Sequence, residues 1–461
     1  MKVLFPFAFF LITSCSGFLD VDPPKSKIES SVVFADDVTA TAVVLGIYSD
    51  MLSVLAFSSG SEYSISSLSG LSSDELVNNP KYDMYSVEFE ETEVKPNNVY
   101  VKYLWVSLYK AIYQANTVIE GIQHSDELSE SVKSQLLGEV FFIRAFCNFY
   151  LINLFGDIPL TLSTDYKVNS AIGRTDVSEV YDQILSDLAK AGELLSSEYA
   201  ALSNERIRPN RFSAFALSAR VYLYLNNWSM AEEMSTNVIQ NSEMYNLEVA
   251  VDEVFLKNSS ESIWQLRPIS DGNNGSTNEA SVFSPDNVAY YNVINDGFMS
   301  STEPGDMRIN RWIDTLVVEG DTIFYPCKYK QDKSSEPLAE YSMVLRLAEQ
   351  YLIRAEARAM QDKLEGDAGA LSDINAIRRR AGLLDVHSVS KLEVLSYIDN
   401  ERRIELVTEW GHRWFDLKRR NKAEEVLSQE KELFTKDDKL YPIPDSEFLR
   451  NPRLVRQNPG Y

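Results

Sequence analysis

The chain has 461 residues, 44% of them hydrophobic and 24% charged, which is too apolar for general disorder and long enough for two or three average domains or one large helical array. Its 68 acidic against 44 basic residues give a formal net charge of -24, so the average field repels phosphate backbones and nucleic acid is not expected as a partner. Three cysteines (Cys15, Cys147, Cys327) and three histidines (His124, His387, His412), all widely separated, signal neither a zinc site nor a disulfide framework.

Taken in chain order, Lys2 and the apolar run Val3 to Ile12 have the charge and length of an export signal, well short of the roughly 20 residues that a membrane span needs. The run ends in "LITSC", which resembles the lipobox of bacterial lipoproteins. That resemblance implies residues 1–14 as a cleaved signal peptide, lipidation at Cys15, and residues 15–30, with Pro23 and Pro24, as a tether. Several acyl chains, each contributing roughly 0.8 kcal/mol per buried CH₂, would hold the protein on a membrane essentially without release.

Residues 57–97 are rich in serine and read as a loop region, and the acidic run Glu88 to Glu93 within them reads as solvated surface. Helical periodicity then takes over. Leu104, Leu108, Ile112, Ala115, Ile119 and Ile122 repeat at steps of three and four over 103–122. Residues 133–155 are aromatic nearly all round, predicting a central buried helix stopped by Gly156 and Pro159, with Cys147 an inert core residue. Val180, Ile184, Leu188 and Ala191 mark a third helix over 177–195 behind the capping candidates Thr175, Asp176 and Ser178.

Two stretches read as helical hairpins of the tetratricopeptide kind, in which short side chains let the helices approach closely. One carries Ala214, Leu217, Ala219, Tyr222 and Leu225 before an "NNW" turn, with Ala231, Met234 and Val238 after it. The other carries Leu352, Ala355 and Ala359, a turn at Gly366, then Ala370, Ile374 and Ile377. Between them residues 245–340 lose helical periodicity and gain Gly, Asn, Ser and Pro, as a long insertion does. Trp264 there, and Trp105, Trp410 and Trp414 on helical faces, read as core.

Blocks from "CSGFLDVDPP" through "GEVFFIRAFCNFYLINLFGDIPL" and "NERRIELVTEWGHRWFDLKRR" to "LYPIPDSEFLRNPRLVRQNPGY" resemble, together and in order, the SusD and RagB group of Bacteroidetes outer-membrane lipoproteins. Trp410, between Glu409 and Gly411, and Arg456 are small departures from that pattern. The resemblance implies a mainly α fold over 31–461, with about four tetratricopeptide-like hairpins packed against an irregular ligand-binding half that includes 57–97 and 245–340. It implies a lipid-anchored, outward-facing position on the outer membrane and a TonB-dependent transporter of the SusC type as partner. Glycan capture for import is the expected function, without catalysis. Oligopeptide capture of the RagB type and, further off, a carbohydrate-active enzyme are the alternatives.

A glycan site needs flat aromatic faces for sugar C–H groups, and amides, carboxylates or guanidiniums for hydroxyls. The candidates are Asp74, Asn78, Asn79, Tyr82 and Tyr85 in the first loop region, and Asn287, Tyr290, Tyr291, Asn292, Arg308, Arg311 and Trp312 in the second. No G-x-S-x-G, H-E-x-x-H or phosphate-binding glycine loop occurs, and no metal site or cofactor is expected. The "DGNNGSTNE" loop at Asp271 has oxygen ligands for calcium but lacks the EF-hand spacing. Glu139 with Arg144, and likewise Glu405 and Arg413, read as internal ion pairs, since an unpaired buried charge is costly.

Overall fold

A computed structural model describes residues 33–53, 57, 61–78, 83–200, 204–268, 275–283, 292–318, 320–331 and 337–461. The signal peptide, Cys15 and the tether lie outside the described residues, as do Asn79, Tyr82, Asn287, Tyr290, Tyr291 and Asp271 to Asn274 of the suggested calcium loop.

The fold is mainly α. Helices α1 (Asp37–Ser53), α2 (Ile65–Ser72) and α3 (Met84–Glu90) precede the long pair α4 (Val99–Gln123) and α5 (Glu130–Phe155). Asn98 starts α4 by accepting the backbone N–H of Tyr100 at 2.8 Å, and the predicted stripe from Leu104 to Ile122 is buried along its length. α5 is long and apolar enough to cross a membrane, yet it is wrapped by α1, α4 and α6 (Val177–Leu194) and buried nearly all round. It ends at Gly156, whose φ of +72° is left-handed and where an added Cβ would stand 2.9 Å from Leu440 Cδ1.

From α4 onward each long helix packs on the next: α6 on α5, α7 (Arg211–Tyr224) on α6, α8 (Trp228–Ile239) on α7, α10 (Leu347–Met360) on α8 and α11 (Ala370–Arg380) on α10. α10 also meets α12 (Lys391–Glu405). The small residues do what the repeat pattern predicts. Ala219, Ala231 and Ala357 meet with Leu223 and Ile353, and Ala355, Ala359 and Ala370 meet with Ile374, Val394 and Ile398. Trp105, Trp264, Trp410, Trp414 and Cys147 are all core.

Among the described residues, three two-stranded antiparallel sheets lie outside this array: β1 (Leu76–Asn78) with β3 (Asn292–Ile294), β2 (Ser262–Leu266) with β6 (Ser342–Arg346), and β4 (Ile313–Val318) with β5 (Asp321–Pro326). The insertion at 245–340 therefore contains regular pairing as well as loops.

The serine-rich stretch is not all loop. Every residue of α2 is buried, Ser64 caps it, and Ser66 Oγ accepts the Trp410 backbone N–H at 2.7 Å. Serine serves close approach here: an added Cβ at Gly411 would lie 2.7 Å from the Ser69 Cβ. Composition reports side-chain polarity, whereas a tightly packed helix selects side-chain size.

Glu139 and Arg144 are both buried and ion-paired, but not to each other. Five positions on an α-helix turn through about 140° beyond a full circle, so the two point to different neighbours. Glu139 accepts from Arg208 at 2.5 Å and from Tyr48 at 2.6 Å, while Arg144 grips Asp187 twice at 2.8 Å. Glu405 likewise meets Arg308, Arg346 and Arg380, and Arg413, on the helix α13 (His412–Arg419), reaches Asp74.

Candidate ligand-binding face

β1 and β3 bring the two loop regions together. Their register opposes Leu76 to Ile294, Val77 to Val293 and Asn78 to Asn292. Asn78 and Asn292, the described residues next to 79 and 291, therefore stand opposite each other at the same end of this pairing. β5 lies against β3, and between them an open groove of about 440 Å³ is lined by Asn78, Asn295, Asp296, Asp321 and Thr322 together with Val77, Val293, Ile294, Ile323 and Phe324. Amide, carboxylate and hydroxyl groups thus alternate with apolar surface, a composition suited to hydroxyl-rich ligands.

A hydrogen-bonded chain ties this groove to α3. Asn78 Nδ2 donates to Glu90 at 2.8 Å, Ser86 Oγ donates to Asn78 Oδ1 at 3.0 Å, and Asn98 Nδ2 donates to the Tyr85 carbonyl at 3.0 Å. Tyr85 therefore stands next to the first turn of α4, where the structure assembles four tyrosine rings. Tyr63 stacks on Tyr100 with centroids 4.9 Å apart and planes at 28°. Tyr85 meets Tyr100 at 5.6 Å, and Tyr103 meets Tyr63 at 5.6 Å and Tyr100 at 6.2 Å. Tyr85 is 39% and Tyr103 43% exposed, and Tyr63 and Tyr100 are half-buried beneath them. Burial and the nearby Asp83 carboxylate push the Tyr100 phenol above its ordinary range, which keeps it neutral and able to donate.

Of the described candidates, Asn78 and Tyr85 belong to this face. Four others are inside the fold and present no surface to a ligand. Asp74 accepts from Arg413 at 2.6 and 2.7 Å and pairs with Arg403 at 2.9 Å; burial raises its pKa, but the two guanidiniums outweigh it and the net shift is downward. Arg308 is clamped by Asp306, Glu401 and Glu405. Trp312 is 1% exposed, donates its indole N–H to the Val251 carbonyl at 2.9 Å, and lies 4.7 Å under the Lys328 ammonium. Asn292 is buried and its Nδ2 has no protein partner. Arg311 is exposed on α9 (Met307–Trp312), 3.6 Å from Asp252 and outside the groove lining.

Tyr63 lies in the stretch that reads as a loop, Tyr103 in the stretch that reads as a core helix and Tyr100 between the two, so none of them is among the sequence candidates. A signal was present: Tyr100 and Tyr103 stand three apart at the margin of the apolar stripe of α4, where core packing does not require aromatic rings. Among the described residues no cluster of His, Cys, Asp and Glu is arranged to hold a metal ion.

Comparison with known proteins decides the family. Residues 17–223 match a family described as starch-binding and associating with the outer membrane, and residues 273–461 match the SusD family itself. The chain belongs to the SusD/RagB family. SusD-like protein P25 of Formosa agariphila is 24% identical, covering 100% of this chain and 99% of its own length, and SusD-like protein P2 of the same organism is 27% identical over 79% of this chain and 81% of its own. Among solved structures, a SusD superfamily protein of Parabacteroides distasonis superposes with a TM-score of 0.79 at 22% identity, covering 92% of this chain and 99% of its own. A laminarin-binding SusD-like protein does so at 0.77 and 24%, covering 93% and 100%, and surface glycan-binding protein A of Bacteroides thetaiotaomicron at 0.76 and 19%, covering 93% and 100%. The SusD fold thus accounts for the helical repeats and for the irregular half beside them.

Proposed function

We propose that this SusD-family protein captures oligosaccharide, without cleaving it, on the face formed by the tyrosine cluster and the β1–β3 groove. The observation that carries the reading is the cluster itself: four phenol rings joined through Tyr100, two of them well exposed, next to the Asn78–Ser86 hydrogen bond that ties α3 to the β1–β3 pairing. A pyranose ring packs its C–H face on such a surface, while the amides and carboxylates of the adjoining groove take its hydroxyls. Related structures named as laminarin-binding and surface glycan-binding proteins support the ligand class.

The rest of the proposal follows from family membership and the leader. Cys15 carries lipid, residues 16–30 form the tether, and the body faces outward from the outer membrane. The captured glycan passes to a TonB-dependent transporter of the SusC type. Weak single-site affinity suffices, because tethering and repeated sugar units raise the effective concentration.

Affinity electrophoresis against a panel of polysaccharides tests the reading. Retardation by at least one glycan, lost in a Tyr85→Ala/Tyr103→Ala variant that remains folded by circular dichroism, is the expected result. Retardation unaffected by that variant, release of new reducing ends, or peptides in place of glycan co-purifying with the protein would overturn it.

A further inference from the structure

A second cleft, of about 580 Å³, opens between the segment after α5 and the C-terminal run, and shares no lining residue with the groove. Its charge is unusual for so acidic a chain. Among the described residues, the arginines without a carboxylate at ion-pairing distance are Arg174, Arg206, Arg211, Arg453 and Arg456. Arg206 and Arg211 donate to backbone carbonyls within the fold. The other three line this cleft.

The cleft is built, not incidental. Arg174 is held by neutral acceptors only: its Nε donates to the Asp157 carbonyl at 2.8 Å, Nη1 to the Arg456 carbonyl at 3.3 Å and Nη2 to Asn458 Oδ1 at 2.5 Å. Asn458 is itself 2% exposed and anchored by donating to the Phe155 and Tyr441 carbonyls. The Asp157 carboxylate accepts the Val177 N–H that opens α6, at 3.1 Å, and among the described residues is the one carboxylate lining the cleft against three guanidiniums. Arg453 and Arg456 are exposed with their charges uncompensated.

Guanidiniums select oxyanions through paired N–H donors. A bare ion fills little of this volume, which falls in the range of roughly 300–1,000 Å³ typical of small-molecule sites. Gln457 adds an amide, and Val455 with Leu440 adds apolar surface. We propose that this cleft binds an oxyanion, a sulfate ester or carboxylate, carried on a sugar ring. That the carrier is a sugar rests on the glycan-capture reading; the preference for an oxyanion does not.

Calorimetric titration of the intact protein with a sulfated disaccharide, a uronic-acid disaccharide, a neutral counterpart of each, inorganic sulfate and phosphatidylglycerol vesicles tests this. The expected result is binding of an acidic disaccharide at least tenfold tighter than its neutral counterpart, weakened by added salt. Arg453→Gln/Arg456→Gln, both at exposed positions, should abolish that preference, and Tyr85→Ala/Tyr103→Ala should leave it intact. Equal binding of neutral and acidic sugars, no effect of the arginine variant, inorganic sulfate bound as tightly as the sugar, or binding to vesicles alone would overturn the proposal. Neutral-glycan retention unaffected by Tyr85→Ala/Tyr103→Ala, with the acidic preference retained, would instead count against the tyrosine face alone.

Discussion

Asn78, the last residue of β1, lies directly opposite Asn292, the first residue of β3. Two regions far apart in the chain are joined there by three residue pairs, and the join is braced from the side by Ser86 and Glu90 on α3. A single-residue slip in this register would turn the side chains of one strand over and separate Asn78 from Asn292. The face proposed for ligand binding thus depends on a very small sheet.

Within the tyrosine cluster Tyr100 is central, touching the rings of Tyr63, Tyr85 and Tyr103. With each aromatic contact contributing roughly 0.5–1.5 kcal/mol, Tyr100→Ala is expected to weaken glycan binding about tenfold or more, and Tyr103→Ala by a few-fold. Tyr100→Phe should recover most of the loss. Calorimetry with the glycan identified by electrophoresis checks the ranking, and equal losses for the two alanine variants would show that the rings act singly.

Trp312 makes the opposite case. Because it is buried against Phe255 and Lys328, Trp312→Ala should cost about 3–5 kcal/mol of stability in denaturant titration. Glycan affinity of the protein that remains folded should change less than twofold. A large loss of affinity at unchanged stability would place Trp312 in the site.

Glu356 is buried, and burial raises its carboxyl pKa; the Arg419 guanidinium, bonded twice at 2.7 Å, more than reverses this and brings it down to about 2. The folded pKa lies below the unfolded one, so the stabilisation is complete above about pH 4.5 and is lost as pH falls toward 2. The difference corresponds to about 3 kcal/mol. Glu356→Gln should lower stability at pH 7 by that order and flatten the acid limb of a Tm against pH curve.

Glu75 behaves in the other sense. Burial first, and then the adjacent Asp74 carboxylate, push its carboxyl up to about 8. The unfolded chain releases this proton near pH 4.5 while the folded chain retains it, so the stability contribution falls as pH rises between these values and levels off above about 8. Glu75→Gln should match the parent Tm near pH 4 and exceed it at pH 8. Equal Tm values across that range would show that the carboxyl titrates normally.

The helical half was legible before any coordinate. Core stripes repeat every three or four residues, and alanines at the crossings of α7, α8 and α10 announce close packing, because helix burial is written in local periodicity. The buried ions show where that ends: Glu139 and Arg144 read as ion-paired, but their partners are Arg208, in the connection before α7, and Asp187 on α6, chosen by helical phase and neighbour packing.

The candidate site divides in the same way. Of the candidates that composition suggested, Asn78 lines the groove and Tyr85 is exposed, whereas Asp74, Arg308 and Trp312 carry the same functional groups and are enclosed. Residue type alone does not distinguish a tyrosine or arginine facing solvent from one facing a neighbour, since the same hydrogen bonds and ring contacts serve a ligand or a core. Only tertiary structure decided that, by pairing β1 with β3 and gathering Tyr63, Tyr85, Tyr100 and Tyr103 from separate segments; local sequence determined the helices, while long-range contacts determined which of their side chains stay at the surface.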